Sequence, residues 1–513
     1  MRIAQRVVAV TLAAAGLTAC SATPTTRQLA QDAVTAMGGA EKLQSIQTLV
    51  MKDGTGTRMR LGQTVRVGDQ EMPAQLTKVV EIADLANGRA SLDYELRSGE
   101  FTQHRHEILT KLGEGAGGKP VGIEIVGTRP VIATSPSGLF SWGTQNSPEF
   151  LLRRNLVSIV LAAAETGAET PAADKDFNGQ MLKYGMAKSR SGEDVGLYFD
   201  PNTKLLMGFE VTDTETMLGD VPAQYILADY KAVDGISLPH KITIRKGGQD
   251  YSDVQFASIA VNDPAAQQTF AIPEAAAKEA ERAAASGDYS PVEITKVAEG
   301  LHFVRAYSHN SMLVEFPKFL ALVEAPYTEA QSKTLARVVQ EQFPGKPIQY
   351  AAVTHHHYDH TGGVRGIAAF GATILVEKGH EPALRAILEA PHTNPPDELA
   401  TRRAAQQSTG SIEVYEGKKV IADGGQSLEL HAITGSPHVE PMVVAYVPNP
   451  GALFQSDLFF PGTGGNFSPE AQHLLESVRK LGLRVTTNVG GHGAVGPFVE
   501  LVKAGTPPAA KTN

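Results

Sequence analysis

The sequence predicts an α/β protein built of two domains in series. A mainly antiparallel β (α+β) domain is expected over residues 28–272, and an α/β layered domain over residues 291–503. Three observations carry this reading. A chain of 513 residues is too long for one ordinary hydrophobic core. Between residues 48 and 261 short alternating segments follow one another, broken by turn formers. Beyond residue 291 apolar runs of strand length alternate with helical periodicity, which indicates layered strands and helices.

Composition supports a folded protein, with 42% hydrophobic and 20% charged residues. The net charge of −9 is spread along the chain, and no run of Lys or Arg suggests a nucleic-acid groove. The expected partners are a small-molecule substrate and, through a lipid anchor, a membrane. Oligomeric state is not set by the sequence.

Residues 1–19 have the layout of a secretory signal, with Arg2 and Arg6 ahead of a short apolar core too short to span a bilayer. The segment ends Leu17-Thr18-Ala19-Cys20, and Cys20 is the only cysteine. Intrachain disulfides and multi-thiolate metal sites are therefore excluded. The ending resembles a bacterial lipobox, which implies that Cys20 is lipidated. With Ser21 following, the implied address is the outer membrane, facing the periplasm. Residues 20–27 then serve as a tether.

Two short helical patterns follow, over residues 29–37 and 41–46, the first stopped by Gly38-Gly39. Strands are expected at 195–199 and 204–211 around the turn Asp200-Pro201-Asn202-Thr203. Further strands are expected at 224–230 and 240–244, and one helix at 150–164. Tyr230-Lys231-Ala232-Val233-Asp234-Gly235-Ile236-Ser237-Leu238-Pro239 and Phe270-Ala271-Ile272-Pro273 resemble segments of lipoprotein-sorting half-barrels. His104 and His106 are expected to be solvated, and Trp142 to pack in a core. Residues 273–290 read as a helical spacer.

In the second domain, residues 310–315 and 319–324 read as a hairpin of buried strands, and 328–342 as a helix. A strand at 348–353 follows, then a helix at 362–370, a strand at 373–376 and a helix at 381–388. After a polar insert at 391–407 come strands near 412–415, 427–433, 442–447 and 452–455. The tail at 504–513 is expected to be disordered.

The chemistry concentrates at Thr354-His355-His356-His357-Tyr358-Asp359-His360-Thr361-Gly362-Gly363, directly after a strand. Five side chains able to ligate a metal fall within six positions. Burying so many imidazoles and carboxylates is costly unless something binds them. With thiolates absent, a divalent metal held by imidazole and carboxylate is the natural candidate. His355 and His357 alternate on an extended segment, so both rings point one way. Asp359 and His360 follow as the chain turns.

This stretch resembles the His-x-His-x-Asp-His signature of the metallo-β-lactamase superfamily, whose αββα sandwich is then the expected fold of the second domain. The resemblance extends in order to His438 in Thr434-Gly435-Ser436-Pro437-His438, Asp457 in Gln455-Ser456-Asp457, and His492 in Gly490-Gly491-His492-Gly493. It implies two zinc ions, iron or manganese being possible substitutes. His355, His357 and His438 would hold one ion, Asp359, His360 and His492 the other, and Asp457 would bridge them. A hydroxide between the metals would be the nucleophile, and Asp359 would pass a proton to the leaving group. His356 should point away. His380, His392, His431 and His473 match no ligand motif, and His392 is expected to decorate its loop. Two departures stand out. Glu324 occupies the place of a usual aspartate, which is expected to weaken the hydrogen bonds orienting the ligands. The turn at His438 is also altered.

A complete ligand set with Asp457 resembles the family's hydrolases of other small substrates more than its β-lactamases, which implies hydrolysis of a small ester, lactone or thioester-like substrate rather than of a β-lactam. Fold alone does not choose among these. The alternative of a different class is a lipid-anchored envelope binding protein, in which the first domain cradles an apolar ligand and the metal domain is auxiliary.

Overall fold

A computed structural model describes residues 23–508 apart from 100, 112–119, 127–131, 135–147, 287–290 and 307–308. Cys20 and Trp142 lie outside the described residues. The N-terminal domain is one large antiparallel sheet made of two meanders. They join where Thr48–Met59 pairs with Gln249–Gln255, and the sheet has 14 strands among the described residues. Strand alternation puts Leu76, Leu92, Phe209 and Leu227 on one face. The helices Thr26–Ala36 and Leu156–Thr166 cover that face with Leu29, Ala33, Val157 and Val160.

The single helix expected at 150–164 is two, Pro148–Arg153 and Leu156–Thr166. Asn155 interrupts it, its side-chain oxygen accepting from Val157 N and Ser158 N as the cap of a new helix. The expected spacer is also corrected. Glu274–Ser286 is helical, but Ala276, Ala280 and Ala283 are buried against Val50, Ile82 and Ile123 on the other face of the sheet. The spacing i, i+4, i+7 makes an apolar stripe, so the segment docks instead of bridging freely. The insert at 391–407 likewise holds a helix, Glu398–Ala404, capped by Asp397.

The second domain is an αββα sandwich. One sheet of 7 strands runs from Glu293–Ala298 to Ile412–Tyr415, antiparallel in its first half and parallel from Leu320–Val323 onward. The other has 6 strands, from Lys418–Asp423 to Val495–Pro497. Phe303, Met312, Val314 and Leu375 of the first sheet meet Leu430, Val443, Ala445 and Phe454 of the second in a shared core. Helices Glu329–Gln342, Val364–Ala369 and Glu381–Glu389 cover one outer face, and Pro469–Lys480 and Phe498–Ala504 the other.

Candidate metal centre

All the candidate donors gather at one end of this sandwich. Parallel strands deliver most of them at their carboxyl ends, where α/β sheets ordinarily hold ligands. Glu324 follows Leu320–Val323, the histidine run follows Ile348–Ala352, Asp457 follows Ala452–Gln455, and His492 follows Thr487–Gly490. His438 comes from the loop between Gln426–Ile433 and Met442–Val447.

Two groups of ring nitrogens form. His355, His357 and His438 offer nitrogens within 4.8 Å of one another, and so do His309, His360 and His492. Asp457 lies between the groups. Its Oδ2 is 2.8 Å from His360 Nε2, 3.3 Å from His355 Nε2 and 3.5 Å from His438 Nε2, while Oδ1 is 2.9 Å from His492 Nε2. Asp359 Oδ2 stands 3.1 Å from His309 Nε2 and 3.7 Å from His360 Nε2. His309 carries no motif in the sequence and was not anticipated. Asn310 holds its loop to the His492 turn by donating to the carbonyls of Gly490 and Gly493 at 3.1 Å each.

The arrangement fits a divalent metal on its own terms. His355 Nε2, His360 Nε2, His438 Nε2 and Asp457 Oδ2 are buried without a hydrogen bond, although they lie at ion-pairing distance. Each such atom costs about 1–3 kcal/mol. Cations placed among them would satisfy all four. The protonation states agree for the first group. Burial, with neighbouring imidazoles, pushes His357 down to about 3 and His355 well below its usual range, and it also lowers His438. Burial and the neighbouring His492 lower His309 to about 3. These rings are therefore neutral donors near neutral pH. Burial opposes ionisation of Asp359 and Asp457, but His360 and its neighbours outweigh it and hold both well below the usual carboxylate range.

Glu324 makes the hydrogen bonds that its replacement of an aspartate was expected to weaken. Fully buried, it accepts from His360 Nδ1 at 2.9 Å and from the Thr354 hydroxyl. The Thr354 oxygen in turn takes the His355 Nδ1 proton at 2.9 Å. One carboxylate thus turns the Nε2 atoms of His355 and His360 toward Asp457. Both its oxygens are engaged by these donors, and one of them lies within 4.8 Å of ring nitrogens of His355 and His360. Glu324 and Asp457 have φ of 69° and 62°, left-handed backbone that the surrounding fold must impose.

His356 points away from both groups, as expected, but it is buried. It bonds Thr64 Oγ1 at 3.2 Å and His380 Nδ1 at 3.2 Å. His392 is buried too, near Arg365 and Asp397, and so is no loop decoration. His431 pairs with Glu429, and His104 with Asp93 at 2.7 Å. The altered turn at His438 is held by Ser436 Oγ, which accepts from His438 N and Val439 N.

Residues 304–492 match the profile of the metallo-beta-lactamase superfamily. Among curated proteins, 2,4-dinitroanisole O-demethylase subunit alpha of Nocardioides sp. (strain JS1661) is 25% identical over 186 residues, 36% of this chain. The chain spans about half the length of that relative, 52%. Among solved structures, a metallo-beta-lactamase from Pontibacter korlensis is 18% identical, covering 42% of this chain and 97% of that one, with a TM-score of 0.32. FIM-1 from Pseudomonas aeruginosa is 15% identical, covering 42% and 93%, with a TM-score of 0.33. The match to the metallo-beta-lactamase superfamily thus lies within the C-terminal domain, over the stretch that ends at His492.

Proposed function

We propose that this protein is a metal-dependent hydrolase of a small ester, lactone or thioester-like substrate. The observation that carries the reading is Asp457, one carboxylate touching both histidine groups. His355, His357 and His438 would hold one ion, and Asp359, His360 and His492 a second, with His309 beside it. Zinc is the first candidate for such donors, iron and manganese following. Bound ions would supply the acidity that makes water nucleophilic at neutral pH and would polarise the substrate's oxygen.

The chain's own residues do the rest. Asp359, ionised and held by His309, is placed to carry a proton to the leaving group. Glu324 and Thr354 keep the imidazoles aimed. The face at His438 and His492 remains partly open, and exposed apolar side chains flank it. Phe460 has its ring 5.0 Å from that of His492, and the Val65 carbonyl accepts from Glu440 N. A substrate with an apolar group beside its reacting carbonyl suits that mouth.

The test is metal analysis together with a panel of chromogenic esters, lactones, thioesters and a cephalosporin. The curated relative's name adds an activated aryl methyl ether. Turnover lost in His357→Ala and Asp457→Ala supports the reading; protein holding well under one ion per chain, with turnover unchanged in His357→Ala, removes it. The proposed address, a lipid anchor at Cys20 on the outer membrane, is tested by Cys20→Ser, which should move the protein to the soluble fraction.

One observation favours the second reading, an apolar ligand in the N-terminal domain. A cavity of about 110 Å³ lies inside that sheet, lined by Leu49, Leu76, Leu92, Phe209 and Leu227, with Glu81 at its wall. That space suits a group the size of a small aromatic ring. Displacement of an environment-sensitive apolar dye by the full chain, lost in Leu92→Trp, would support it.

A further inference from the structure

The loop joining the strands Thr48–Met59 and Pro73–Asp84 of the N-terminal domain reaches into the metal centre of the other domain. Gln63 Nε2 donates to Asp359 Oδ1 at 2.7 Å, across 296 positions of sequence. The amide cannot be turned the other way without loss, because Arg60 donates to its Oε1 at 3.0 Å. The Thr64 carbonyl sits 3.0 Å from His357 Nε2. A carbonyl only accepts, so this nitrogen carries the ring's proton, and the lone pair of neutral His357 is on Nδ1.

Backbone bonds fix the loop in place. The Gly62 carbonyl accepts from Tyr358 N at 3.3 Å, and the Val65 carbonyl from Glu440 N at 2.9 Å. Gly62 holds a φ of +66°, left-handed backbone that favours glycine, and a Cβ there would lie 3.6 Å from Tyr358 Cβ and displace only the mobile end of Met217. Glu71 braces the loop from within by accepting from Gly62 N at 2.5 Å and Gln63 N at 3.4 Å.

We propose that this loop is a working part of the metal centre: Gln63 is a positioning residue for Asp359, and the Thr64 carbonyl fixes the tautomer of His357. The N-terminal domain is then no separate module. It supplies outer hydrogen bonds to one residue of each metal group, the role that buried carboxylates and carbonyls play for metal-bound histidines generally. The inference rests on the metal-centre reading above. It also assigns the substrate's route, because the loop covers the side of His357 and Asp359 and leaves that of His438 and His492.

The experiment uses the full chain, stripped of metal and titrated with zinc against a chromophoric chelator. Gln63→Ala and the shorter amide Gln63→Asn should each weaken the second zinc by about ten- to a hundredfold. Melting temperature should be unchanged. Met72→Ala, exposed at the end of the same loop, should match the parent. With any substrate the parent turns over, kcat should fall and KM stay, because Asp359 moves a proton and does not hold the substrate. Zinc affinity equal to the parent's in both Gln63 variants overturns the proposal. A lowered melting temperature with unchanged affinity does so too, since it assigns Gln63 a merely structural role. If the parent hydrolyses nothing, the proposed function fails, and the zinc comparison still decides this inference.

Discussion

Replacing Glu324 tests how the metal centre is oriented. The carboxylate is fully buried and takes two donors, His360 Nδ1 at 2.9 Å and the Thr354 hydroxyl, which relays to His355 Nδ1 at 2.9 Å. In Glu324→Ala His360 loses its carboxylate and keeps only Ser456 Oγ at 3.3 Å, while Thr354 still meets His355 but loses the acceptor that fixes its hydroxyl; one ring belongs to each histidine group. Losing an outer partner costs about ten- to a hundredfold in metal affinity, or about 1.4–2.8 kcal/mol per ion. Both ions should therefore weaken. Glu324→Gln keeps the shape, but its NH2 end meets a group that was itself donating. Its loss should be nearer tenfold and fall mainly on one ion. The assay is stepwise zinc competition with a chelator, alongside a thermal melt without metal. If Glu324→Ala binds both ions as tightly as the parent, the orienting role is refuted.

Three further outcomes follow from the same contacts. Loading the metal-free protein at pH 7 should release protons, that of His360 among them, measured calorimetrically in buffers of different ionisation enthalpy. Although burial opposes it, His360 is held well above its usual range by Glu324, Asp457 and Asp359, so its ring starts charged. The metal-free protein should also lose stability on acidification. Burial keeps His309 and His357 neutral down to about pH 3, while unfolded histidine protonates near 6.5. The unfolded chain therefore binds more protons in that window, and stability falls as pH drops from about 6.5 to about 3. His360 works in the opposite sense, losing its contribution as pH rises through its raised value, but the depressed rings outnumber it. Arg365→Ala should cost about 3–5 kcal/mol in a denaturant melt. It strips Asp397 of a buried partner and takes a donor from the carbonyls of Ile387, Leu388 and Ala390, of which Leu388 keeps Arg403.

The sequence disclosed the part of the site that is local or ordered by motif. His355, His357, Asp359 and His360 declare themselves by spacing, and His438, Asp457 and His492 by their order along the chain. The sandwich was legible for a similar reason, since strand-length apolar runs and helical stripes are periodic in sequence. Other contacts are set by topology, which periodicity does not encode. His309 reaches the site only because its loop is tied to the His492 turn by Asn310. Gln63 and Thr64 arrive from another domain, and nothing around them in sequence marks the approach. Glu324 was noticed, but the consequence of one added methylene depends on backbone placement, and its left-handed φ of 69° helps define that placement. The docked helix Glu274–Ser286 carried a legible alanine stripe, but composition alone read it as a spacer.

The central claim is that two ions share Asp457 in a hydrolytic site. Its most direct measurement is zinc titration of the metal-free full chain, with turnover of the ester, lactone and thioester panel followed at each addition. The account predicts two ions bound per chain, activity rising with occupancy, and both the second ion and turnover lost in Asp457→Ala. A chain that binds well under one ion, or whose turnover is the same in Asp457→Ala as in the parent, contradicts it.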